Sequence, residues 1–180
     1  MTNRIACVLI LAAVVSVAAP AVAQQAAATT ATQTFNAQTA LVNDLGTLSD
    51  KFTGLARVMV GKYDWRPGQG VRSVADVFNL IINENNMIKG LITGSGGSRG
   101  TVVPITDPEK MQEALRSSYD DLKKALSALS QSDLNASVRL FGSEKTKEGA
   151  VMMLMFDQHE HLGQSIAYAR TNNVVPPWSK

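Results

Sequence analysis

Thiol chemistry is almost missing from this chain: of its 180 residues only Cys7 is a cysteine, and it lies inside an N-terminal apolar run. Removal of that run would leave no thiol. Cysteine nucleophiles, disulfide staples and thiolate metal sites are then excluded together, so any metal must be held by nitrogen and oxygen. Histidine is also scarce, with only His159 and His161. After the N-terminal run, no stretch approaches the roughly 20 apolar residues a spanning helix needs, so no membrane span is expected in the mature chain. Neither sign of charge dominates, with 17 Lys and Arg scattered among 15 Asp and Glu. The basic face that nucleic acid requires is absent, and no nucleic-acid partner is expected. Runs of alternating apolar and polar residues are missing too, which argues against strands.

The N-terminus carries one basic residue, Arg4, an apolar run from Ile5 to Ala19, then Pro20 and the small triplet Ala21-Val22-Ala23. This is the pattern of a secretory signal. It predicts a signal peptide over 1–23, a cut after Ala23, and a secreted or periplasmic protein. Residues 24–34 (QQAAATTATQT) have no apolar periodicity and read as a flexible segment. Residues 35–180 are a usual size for one domain with one core.

Within that domain, Leu41, Leu45, Leu48, Phe52, Leu55 and Val58 or Met59 recur at steps of three and four, which predicts a first helix over 35–60. Ser73, with Asp76 three residues on, opens a second helix over 74–92 with a capping-box pattern. Asp107-Pro108-Glu109 opens a third, with Met111, Leu115, Tyr119, Leu122, Leu126 and Leu129 on its stripe. Residues 130–143 read as a segment crossing the bundle. A fourth helix over 144–170 ends before NNVVPPWSK, where two prolines forbid continuation. The fold class expected is all-α, a four-helix bundle of antiparallel type.

On the last helix, Asp157, His161, Gln164 and Tyr168 follow one another at steps of four, three and four, so they form one polar row on a face that must meet the bundle. His159 and Glu160 fall on other faces and read as solvated. Met152, Met153 and Met155 do not share a face and read as core filling rather than a copper site. GSGGSRG lacks the lysine and hydroxyl residue of a phosphate loop and reads as a linker. Ser73 is explained as a helix cap, which leaves no catalytic serine. Trp65, Arg66 and Pro67, together with Pro176, Pro177 and Trp178, are placed at one end of the bundle.

Two stretches, YDWRPGQGVRSVADVFNLIINENN (63–86) and DQHEHLGQSIAYARTNNVVPPWS (157–179), resemble the signature regions of the DinB-like superfamily, four-helix proteins associated with metal-dependent activity. The resemblance implies a divalent metal held by three histidines, and members of known activity include thiol transferases. The matching positions here are Leu80, Asp157 and His161. Leucine cannot bind a metal, whereas aspartate can, through oxygen. Glu84, one turn after Leu80 on the same side of helix two, is the replacement candidate. Two readings follow. In one, the chain is an exported bundle with an incomplete metal site that serves as a binding or structural module. In the other, it is a transferase or hydrolase in which Asp157, His161 and Glu84 hold Zn²⁺, Ni²⁺, Mn²⁺ or Fe²⁺. The catalytic residues are not assigned, the expected partner is an unidentified small molecule, and pairing of two copies through an exposed helix face is compatible with such a bundle.

Overall fold

The computed structural model describes residues 36–97 and 103–179. The expectations for a signal peptide over 1–23 and a flexible segment over 24–34 lie outside the described residues. Four long helices dominate: α1 (Ala37–Val58), α2 (Val74–Thr93), α3 (Pro108–Ser127) and, after the single turn α4 (Gln131–Leu134), α5 (Lys147–Thr171). The strands β1 (Ser137–Leu140) and β2 (Ser143–Thr146) form an antiparallel hairpin between α4 and α5. The main packing pairs are α1 with α3, α3 with α2, α2 with α5, and α5 with α1. The consecutive helices α1 and α2 therefore stand at opposite corners. No helix among the described residues is long and apolar enough to cross a membrane.

The apolar stripes meet in one core. Leu45, Leu48, Phe52, Leu55 and Met59 of the α1 stripe, Val77, Phe78, Ile81 and Ile88 of α2, and Met111, Leu115, Leu122 and Leu126 of α3 are all buried. The rings of Phe52, Phe78, Tyr63 and Tyr119 link them through edge-on and stacked contacts. Tyr63, from the loop after α1, donates its hydroxyl to the Ala56 carbonyl at 2.9 Å. Burial first, and then the charge of Asp107, pushes that hydroxyl's pKa up to about 12, so it stays a neutral donor.

The caps fall where the sequence places them. Ser73 accepts from the Asp76 N–H at 3.1 Å while Asp76 accepts from the Ser73 N–H at 2.9 Å, a reciprocal capping box. The Ser73 backbone hydrogen bond, more than any other influence, holds the Asp76 carboxyl below its ordinary pKa. A pKa depressed on folding means stabilisation that is present above the unfolded value and lost as pH falls through the folded one. Asp76→Asn keeps an acceptor but removes the charge. Acid unfolding of this variant, followed by circular dichroism, is expected to show a shallower loss of stability below about pH 4 than the parent.

Three sequence expectations are corrected. The segment 137–146 is a hairpin rather than the end of a segment crossing the bundle; its strands are four residues each and largely exposed, too short and too little buried to show an alternating pattern. The last helix accordingly begins at Lys147 rather than at 144, with Thr146 as its N-cap. Trp65 meets the Tyr168 ring edge-on at 5.2 Å, and Pro177 and Trp178 lie against Gly54 of α1, with the Lys51 ammonium 5.7 Å from the indole centroid. Of the three methionines on α5, Met155 is in the core, but Met152 and Met153 are exposed.

Asn79 was not distinguished in the sequence from its polar neighbours. Its amide clamps the chain after the α2–α3 link, donating to the Ile105 carbonyl and accepting from the Ile105 N–H, both at 2.9 Å.

Candidate metal centre

Helices α2 and α5 pack side by side, and polar residues of α5 head two hydrogen-bonded chains, one running to α2 and α3 and one to the chain just before α2. The first is fully buried. The Tyr119 hydroxyl donates to Gln158 Oε1 at 2.8 Å, and Gln158 Nε2 donates to Asn85 Oδ1 at 2.8 Å. Asn85 Nδ2 then donates to Ser118 Oγ at 3.1 Å, which donates to the Leu115 carbonyl at 2.9 Å. Burial first, and then the charge of Glu84, pushes the Tyr119 pKa well above its ordinary range. This network ties α2, α3 and α5 together, and sequence reasoning missed it. Gln158→Leu, of similar shape, would strand the Asn85 oxygen and the Tyr119 hydroxyl in the core. Urea unfolding is expected to show a loss of about 2 kcal/mol, and a change below about 0.5 kcal/mol would mean the network contributes little.

The second chain is the polar row read from the sequence. Tyr168 is buried and donates its hydroxyl to the Arg72 carbonyl at 3.2 Å. A carbonyl only accepts, so this one bond sets the direction of all the others. The hydroxyl oxygen receives Gln164 Nε2 at 2.7 Å, which turns Gln164 Oε1 toward His161 Nδ1, 2.9 Å away. His161 Nδ1 must then carry a proton, so in the neutral ring it is Nε2, on the other side, that offers a lone pair. That side holds the carboxylates. His161 Nε2 is 3.7 Å from Asp157 Oδ2, beyond hydrogen-bond distance.

Glu84 comes from α2 to complete the group. One ligand atom from each of Glu84, Asp157 and His161 lies within 4.8 Å of the other two. Glu84 is only 2% exposed, whereas the Asp157 side chain is 49% exposed. Donors about 2.0–2.2 Å from one ion stand at most about 4.4 Å apart, so the Asp157–His161 pair at 3.7 Å already fits and the whole group lies close to that span. The donor set fits a divalent ion of the Zn²⁺, Mn²⁺, Fe²⁺ or Ni²⁺ type and does not suit Cu(I), which prefers sulfur. Two carboxylates this close, one of them buried, are an arrangement that a cation between them relieves. The remaining histidine is elsewhere: His159 is exposed and pairs with Asp44 of α1 at 2.7 Å.

Beside the group lies a recess of about 120 Å³. Glu84 and Asp157 line it, and its apolar walls are Met87 and Ile88 of α2, Leu140 and Phe141 of the hairpin, and Met153 and Leu154 of α5. Exposed Met153 was read from sequence as core, and the hairpin that supplies Leu140 and Phe141 was not foreseen, so the recess was invisible there.

No protein-family model matches the chain, and no curated protein matches it. In three dimensions the chain is similar to a DinB-like protein from Bacillus subtilis whose crystal structure was determined at 2.30 Å resolution, with a TM-score of 0.62 at 15% sequence identity. The similarity covers 74% of this chain and 92% of that one. The fold is therefore the DinB-like bundle that the two sequence signatures imply.

Proposed function

We propose that this DinB-like bundle binds one divalent metal ion through Glu84, Asp157 and His161 and uses it on a small molecule in the adjoining recess, as a transferase or hydrolase. The observation that carries this reading is the meeting of three donors within 4.8 Å, with a buried glutamate standing in for the helix-two histidine that the resemblance implies. A bound ion would supply Lewis acidity, lowering the pKa of a water or thiol beside it. The chain's own contributions are specific. Glu84 and Asp157 offset the ion's charge, and His161 offers Nε2. Gln164 and Tyr168 hold the imidazole in the tautomer that leaves Nε2 bare, as outer partners of metal-bound histidines do. The apolar walls of the recess keep water from one side.

Leu80 favours a second reading, a non-catalytic binding module, because the position matching a family ligand carries no donor. The signal-like N-terminus supports export in either case. Metal analysis of the purified protein, followed by titration of the stripped form with Zn²⁺, Mn²⁺, Fe²⁺ and Ni²⁺, tests the choice. One equivalent of tightly held ion is the expected result. Weak, unselective binding of all four would sink the metal-dependent reading and leave the binding module.

A further inference from the structure

The hairpin tip carries a residue its turn does not favour. Phe141 and Gly142 are the two central residues between β1 and β2, with φ of 49° and 81°. Two positive φ values define a type I′ turn, where glycine and asparagine are at home. Phenylalanine in the left-handed region costs about 1 kcal/mol or more. Phe141 is 60% exposed and lines the recess. Its place at the recess does give it a use.

We infer that the recess receives the apolar body of a small ligand, about the size of a benzene ring, whose neutral or singly negative oxygen-donor head reaches Glu84, Asp157 and His161, with Phe141 determining which bodies are accepted. The size follows from the volume: an apolar cavity of about 150 Å³ takes benzene, and this one of about 120 Å³ is open on one side. The walls supply only methyl, methylene and ring surface, and methionines such as Met87 and Met153 adapt to irregular bodies. The head follows from charge. A divalent ion between two carboxylates is already neutral, so a cationic head gains nothing there, while an oxygen donor completes the coordination shell. The head assignment rests on the metal reading above; the body assignment rests on the recess alone.

The two parts are tested separately on the purified protein carrying methyl-labelled methionine. Benzyl alcohol, titrated into the metal-free form, is expected to shift the Met87 and Met153 methyl signals saturably and to leave the core residues Met59 and Met111 unmoved. In the Co²⁺-loaded form, benzohydroxamate is expected to bind about tenfold or more tighter than acetohydroxamate, which has the same head and no ring. Phe141→Asn, better suited to the turn, should lower the hydroxamate ratio about threefold or more while leaving the melting temperature unchanged or higher. Equal affinity for the two hydroxamates, or benzyl alcohol shifts spread evenly over all the methionines, would overturn the recess assignment. Failure to take up Co²⁺ would overturn the metal reading and with it the head assignment, and the benzyl alcohol titration would still decide the body.

Discussion

Glu84→Gln is expected to weaken binding of Zn²⁺ or Mn²⁺ by about 100-fold or more, the largest effect of any single change at the site. The reason lies in how the three donors are held. Glu84 is 2% exposed on α2, so it is the buried carboxylate of the group, and the amide that replaces it brings no charge to an ion held largely out of water. Asp157 is half exposed, so water can take its place on an ion, and Asp157→Asn should cost less, about tenfold. Gln164→Ala touches no ligand atom of the group. It removes the acceptor that keeps the proton on His161 Nδ1, and a loss of about tenfold is expected from that alone. Calorimetric titration of the stripped variants checks the order Glu84, then Asp157 and Gln164. Should Glu84→Gln bind as tightly as the parent, the buried carboxylate is not a ligand and the centre proposed here dissolves.

That ranking also marks where the sequence was legible. The polar row on α5 could be read from spacing alone, because steps of four, three and four define a helix face whatever the fold. Its partners could not. The Arg72 carbonyl that orients the row lies 96 positions away in the chain, brought there by the turn into α2. Glu84 could be named because it sits one turn beyond Leu80, and its burial and approach to His161 came only with the packing of α2 against α5. Asn85 and Gln158 escaped notice for the opposite reason. Single amides next to apolar stripes look like surface residues until the partner helix supplies their bonds. The hairpin was missed because four-residue strands carry too little pattern, and Phe141-Gly142 is not a typical turn pair. Helix caps, by contrast, are local chemistry, and Ser73 and Asp107 accept where their sequence context places them.

Gly90→Ala should destabilise the fold by about 3 kcal/mol, a drop of about 10 °C in melting temperature for a domain of this size. In the interior of α2 a glycine is ordinarily a weakness that alanine repairs, by about 0.5–1 kcal/mol. Here the sign reverses. After the left-handed cap at Gly94, the chain folds back so that the Gly96 N–H donates to the Gly90 carbonyl at 3.2 Å. A Cβ on Gly90 would stand 1.9 Å from the Gly96 carbonyl oxygen, and the obstacle is backbone rather than a side chain that can turn aside. Relief requires Gly96 to lift from α2, breaking that bond. Gly46→Ala supplies the control, since a Cβ there meets nothing within 4 Å in the interior of α1. Thermal unfolding of the two variants should move in opposite directions, with Gly46→Ala rising by a few degrees at most. If both rise, the turn over residues 94–97 is free to move away from α2 rather than seated on it.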